Sequence, residues 1–282
     1  MTKNIALALL LFASLGGCQC GGEREPEETT SESEPSTGAY GDTPTGIVEG
    51  IVRLAEGTEL PTYPQNPLVV PGRTAIPDDC TPPREVDRTP VVVAGETGGL
   101  VGLSIVGTGT DDDRWPTRPP VTHEITIRDC RIQPSLVVTT RGDQVRLSND
   151  TDYPFFPELG EGVLQALLRA EPRMITLDQG GVRTIQCGFA APCGRMELIT
   201  LYHPVHTVSQ PNGRFRLEIP SGQDVRITAW HPLFHEAHVT ARVEPGETRQ
   251  VELTIRPAPM VAPPTEPRGE PADVNPQPNV PF

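Results

Sequence analysis

Residues 181–222, GVRTIQCGFAAPCGRMELITLYHPVHTVSQPNGRFRLEIPSG, decide how the chain is read. They read as three strands joined by tight turns. They also hold Cys187 and Cys193, His203 and His206, and a Pro211-Asn212-Gly213 turn. One kind of β-region runs into another here. Downstream, Arg214–Ile219 alternates Phe215, Leu217 and Ile219 against Arg214, Arg216 and Glu218. Asp224–Trp230 alternates Val225 and Ile227, and Ala237–Val243 and Arg249–Ile255 follow the same rule. A period of two means one buried face per strand, as in a small sandwich.

Upstream the pattern is also short and β-like. Ile47–Leu54, Pro90–Ala94, Leu100–Val106, Val121–Arg128, Leu136–Thr140, Asp143–Asn149, Arg173–Asp178 and Val182–Cys187 are bounded by Gly, Pro, Asp or Asn. Strands at this spacing predict an all-β fold of antiparallel Greek-key sandwiches. One short helix is expected near 162–170, where Leu164, Leu167 and Leu168 fall at i, i+3 and i+4 before Pro172.

The chain begins with Lys3, an apolar run over Ile5–Leu15, and small residues before Cys18. The run is shorter than the ~20 residues of a membrane-spanning helix and has the layout of an export signal. Leu15-Gly16-Gly17-Cys18 resembles a bacterial lipobox. That resemblance implies removal of residues 1–17 and acylation of Cys18, hence a palmitate-type anchor in the cell envelope. Residues 18–46 are acidic and poor in apolar side chains, which predicts a disordered tether. Residues 257–282 carry nine prolines and predict an extended, disordered tail. The formal charge of −14 disfavours nucleic acid as a partner.

Four further cysteines, Cys80, Cys130, Cys187 and Cys193, form an even set in an oxidising compartment, and three pairings are possible. The Gly-Phe-Ala-Ala-Pro loop between Cys187 and Cys193 favours a local staple. Cys80–Cys130 is then the second bridge by elimination. Cys20 is left over.

Asn212-Gly213-Arg214-Phe215, Ile219-Pro220-Ser221-Gly222 and Ala229-Trp230-His231 resemble the carboxypeptidase-regulatory-like, prealbumin-type β-sandwich. Val225 stands near the place of that family's usual tyrosine. The preceding region resembles the cupredoxin-like domain through Cys130 with Pro134, Gly142-Asp143, Leu147-Ser148-Asn149-Asp150 and Cys187. The resemblance divides the body into a cupredoxin-like domain over 47–200 and a carboxypeptidase-regulatory-like sandwich over 201–256. Ile47–Leu54 is a candidate strand for the second. Copper-binding cupredoxins add two histidines and a methionine to the cysteine. Here those positions fall among Asp152–Phe155, at Ala190 and near Cys193, so the resemblance implies a degenerate site.

Five of the six histidines lie between 203 and 238. Cys187, His203, His206, His231 and His235 are therefore candidate ligands for copper or zinc. The alternative reading is structural histidines at strand ends. His235-Glu236-Ala237-His238 lacks the helical i, i+4 spacing of a metalloprotease motif. No phosphate loop, nucleophile elbow or paired catalytic carboxylates appear, so no catalytic residue is expected. The expectation is a non-catalytic binding or scaffold module, anchored at the envelope with the outer membrane preferred, contacting protein or carbohydrate. A periplasmic metal-binding (copper or zinc) or electron-transfer protein using Cys187 and the histidines from His203 to His238 is the alternative.

Overall fold

The computed structural model describes residues 43–64, 88–109, 115–158, 165–187 and 192–259. The expected signal segment and acylation site at Cys18, together with Cys20, Cys80 and the tail beyond residue 259, lie outside the described residues. The described chain is nearly all β, as the alternation predicts.

Two sandwiches account for the strands. The first joins strands from both ends of the body. One sheet orders β14 (Arg214–Pro220), β1 (Thr45–Leu54) and β17 (Thr248–Ile255). The facing sheet orders β13 (His206–Val208), β4 (Ser104–Gly109), β15 (Val225–Trp230) and β16 (Ala237–Ala241). Val48, Val52, Phe215, Leu217, Ile219, Leu253 and Ile255 meet Ile105, Val225, Ile227 and Ala229 in one core. Gly50 sits opposite Phe215, and a Cβ there would come within 2.5 Å of the Phe215 ring. The glycine thus lets the Phe215 ring lie across the central strand.

The second sandwich faces β10 (Arg173–Thr176), β8 (Gln144–Asn149), β5 (Thr122–Arg128) and β6 (Arg131–Gln133) against β7 (Leu136–Thr140), β12 (Arg195–Leu201), β11 (Gly181–Cys187) and β9 (Pro157–Glu158). Ile125, Ile127, Val145 and Leu147 pack with Val137, Ile185, Met196, Leu198, Phe155 and Leu167. A short pair, β2 (Val92–Val93) and β3 (Leu100–Val101), completes the described strands.

Three findings differ from the sequence expectation. First, β4, from segment 47–200, pairs with β15, so that segment contributes strands to both sandwiches. β1 pairs with β14 and β17, the sandwich for which Ile47–Leu54 is a candidate strand, while residues 122–201 build the other sandwich. Second, three pairings are parallel rather than antiparallel: β1 with β17, β5 with β8 and β7 with β12. Third, residues 165–170 form no helix; residues 162–164 lie outside the described residues. Leu167 instead makes a β-bridge with Phe155, its N–H donating to the Phe155 carbonyl at 2.7 Å, and both side chains enter the core. The Asn149 amide nitrogen caps the Leu167 carbonyl at 2.9 Å. Leu167 is thus buried through a β-bridge, while Leu168 is exposed.

Cys187 and Cys193 are bridged, with Cα atoms 5.1 Å apart, inside the second core. Closing so short a loop stabilises modestly, by about 2 kcal/mol in the chain-entropy model. Replacing both with alanine should lower the urea unfolding free energy by about that amount. A loss below ~0.5 kcal/mol would show that the loop is held by packing alone. Cys130 is also disulfide-bonded, with its partner outside the described residues. It occupies the second position of the β5–β6 turn, where Asp129 and Cys130 both have positive φ (49° and 57°). That conformation is uncommon for a residue with a Cβ.

Strand β12 runs between the sandwiches. Met196 and Leu198 enter the second core, whereas Ile199 joins Leu136 and Val138 against Val208 and Trp230 of the first sandwich. The chain then crosses over at residues 202–205.

Candidate functional site

The crossing point holds a polar hub. Gly142, with φ of +94°, turns the chain out of β7 and places Asp143 at the start of β8. The Asp143 side chain is 1% exposed. Arg118 donates to it through both terminal nitrogens, at 2.8 and 2.7 Å. The Val121 and Thr140 amides donate at 3.0 and 2.8 Å, and His123 Nε2 lies 2.9 Å from Oδ2. Burial alone would raise the carboxyl's pKa. The Arg118, Thr140, Val121 and His123 hydrogen bonds outweigh it and hold the group well below the usual carboxylate range. The hub ties the 115–121 link to the β7–β8 turn.

Thr140 extends the hub to the first sandwich. Its Oγ1 accepts from Arg118 Nη2 at 3.0 Å and lies 2.9 Å from His206 Nε2. Burial, then the positive Arg118 and neighbouring His203, push the His206 imidazole down to about 4 against the opposing pull of Asp143.

Above this hub lies a cleft of about 570 Å³ between the sandwiches. Trp115 stacks on His203, ring centroids 4.7 Å apart and planes 27° apart. A Cβ on Gly109 would lie 3.1 Å from Trp115 Cζ2, so the indole rests against bare backbone of β4. Tyr202 is 71% exposed. Its ring lies against Gly180, where a Cβ would approach within 2.5 Å. The Arg141 guanidinium sits 5.9 Å from the Tyr202 ring centre, and its Nε donates to the Asp178 carbonyl at 2.8 Å. Thr117 and Arg118 complete the walls.

No protein-family model and no curated protein matches the chain. Among solved structures it is similar to a copper-containing nitrite reductase from Thermus scotoductus, at 16% identity and a TM-score of 0.26. That match covers 34% of this chain and 26% of the reductase, so the chain spans about a quarter of that relative. It is also similar to amicyanin from Paracoccus versutus, at 17% identity and a TM-score of 0.25, over 33% of this chain and 96% of that one. A reduced amicyanin variant matches at 15% identity and a TM-score of 0.25, over 34% and 98%. These neighbours are cupredoxin-like.

The candidate metal ligands do not converge. Cys187 Sγ is bonded to Cys193 and cannot act as a thiolate. His231 lies in the first sandwich, fully buried, with Nδ1 accepting the Leu233 N–H at 3.2 Å. Its Nε2 has no hydrogen-bond partner among the described residues, and burial followed by the Arg195 charge pushes the ring down to about 3. His235 is exposed at the start of the 235–239 surface segment. Only His203 and His206 share a neighbourhood, and each is engaged, with Trp115 and Thr140 respectively. No group of three potential ligands forms among the described residues. The donor set does not fit a copper or zinc centre.

A second buried polar cluster was not foreseen. Glu197, 1% exposed on β12, accepts from Tyr63 Oη at 2.8 Å, Arg195 Nε at 2.7 Å and Thr184 Oγ1 at 2.8 Å. The Arg195 guanidinium covers the Tyr63 ring at 3.9 Å. Trp115, Arg118, Arg141 and Tyr202 were also missed as site residues. The available signal was a lone tryptophan in the proline-rich segment 115–120 and an aromatic pair at the crossover, Tyr202-His203.

Proposed function

We propose that this chain is a non-catalytic binding module, lipid-anchored through Cys18 at the bacterial envelope, that contacts its ligand through the cleft between its two sandwiches. The observation that carries this reading is Tyr202. A large aromatic ring 71% exposed, fixed against the Gly180 backbone and set beside a prebuilt Trp115–His203 stack, loses little conformational freedom on binding. The cleft volume falls within the ~300–1,000 Å³ typical of small-ligand sites. Outer-membrane attachment through the tether fits the same picture, since it leaves the body free to reach envelope components.

A photoreactive phenylalanine analogue at position 202 of the full chain, expressed in cells, tests the reading. Adducts with an envelope component are expected at 202 and not from the same analogue at Met174, which is exposed on another sheet. Equal labelling from both positions, or none at 202, would reject the cleft as the contact surface.

A further inference from the structure

We infer that the cleft recognises an acidic pyranose, a sugar ring bearing one carboxylate within a glycan, with Arg141 reading the charge; this rests on the cleft being the ligand site. The two arginines of the cleft differ in what they have left to offer. Arg118 has both terminal nitrogens committed to Asp143, Thr140 and the Pro119 carbonyl. Arg141 uses only Nε, on the Asp178 carbonyl, which fixes the plane of the guanidinium. Its two Nη groups make no hydrogen bond and no ion pair among the described residues. A fixed fork with a vacant outer edge matches a carboxylate in two parallel hydrogen bonds.

The remaining surfaces suit a sugar. A pyranose has an apolar C–H face that stacks on an aromatic ring and a rim of hydroxyls. Tyr202 supplies the exposed ring. The Thr117 hydroxyl, exposed and without a hydrogen bond among the described residues, supplies a rim partner. One uncommitted cation specifies a single charge. Polyphosphates and nucleic acid would need several and would meet a chain of net charge −14.

Calorimetric titration of the full chain in detergent, with a trisaccharide bearing a single galacturonic acid, its methyl ester and an acidic tripeptide as probes, separates the outcomes. The acid is expected to bind at least tenfold more tightly than the ester. Arg141→Gln should remove that preference at unchanged melting temperature, Arg141→Lys should restore only part of it, and Tyr202→Ala should weaken both sugars at least tenfold. If acid and ester bind alike, or Arg141→Gln leaves the acid unaffected, the acidic-sugar inference fails. The cleft reading survives that result if Tyr202→Ala still weakens binding. Preference for the tripeptide, or no binding of any sugar, also overturns the inference. Sugar binding indifferent to Tyr202→Ala would overturn the cleft reading as well.

Discussion

Asp143→Ala should lower the unfolding free energy by about 4 kcal/mol, within the range seen when one partner of a buried charge pair is removed. The reason is the number of donors left behind. Arg118 would keep its charge at a half-buried position without its bidentate partner. The Val121 and Thr140 amides would lose their acceptor in a site water reaches poorly. Asp143→Asn should cost roughly half as much, because one oxygen still accepts while the new amide faces donors. Trp115 lies three residues before Arg118 and reports on the same link, so its fluorescence should shift toward the exposed range in Asp143→Ala. Urea titration of both variants checks the expectation. A loss under ~1 kcal/mol for Asp143→Ala would mean that the 115–121 link is held by packing instead.

Acid should weaken the fold well before carboxylates titrate. His206 is held down to about 4 and His231 to about 3, against an ordinary value near 6.5. Above pH 6.5 both are neutral whether the chain is folded or unfolded, and neither changes stability. Below it the unfolded chain takes up protons that the folded one refuses. Stability then falls by about 1.4 kcal/mol per pH unit for each histidine until the folded value is reached. By pH 4 each contributes a loss of about 3 kcal/mol. Asp143, whose folded value lies below its unfolded one, adds to the loss only below about pH 4, in the same direction. His206→Gln with His231→Asn keeps acceptors near the original ring nitrogens and removes both titrations. The double variant should therefore show a nearly flat urea midpoint between pH 7 and pH 5 where the parent declines. An equal decline in both would place the acid sensitivity elsewhere.

The sequence made some of this legible and hid the rest for identifiable reasons. Phe215, Leu217, Ile219, Val225 and Ile227 alternate because each strand buries one face, so the first sandwich's later strands could be read directly. Strand β12 could not. Met196, Glu197, Leu198 and Ile199 are all buried because the strand is covered on both sides, and alternation disappears. A glutamate there reads as solvent-facing, and its partner Tyr63 is 134 positions away. Parallel pairings such as β1 with β17 leave no local turn signal to find. The His203–His206 neighbourhood was visible as a cluster. Its chemistry depended on Trp115, Thr140 and Asp143, which nothing in the spacing of histidines reveals. The Cys187–Cys193 staple was legible because its geometry is local.

The placement of β1 has a mechanical consequence. The chain enters the body through β1 and leaves the described β-structure through β17, and these strands are adjacent and parallel from Ile47–Thr248 to Leu54–Ile255. Pulling on the two ends therefore drags neighbouring strands past each other lengthwise, loading their whole hydrogen-bond ladder together instead of peeling it bond by bond. Strand β14 grips β1 along its other edge. A body held before β1 and pulled beyond β17 would meet that load along its most resistant axis.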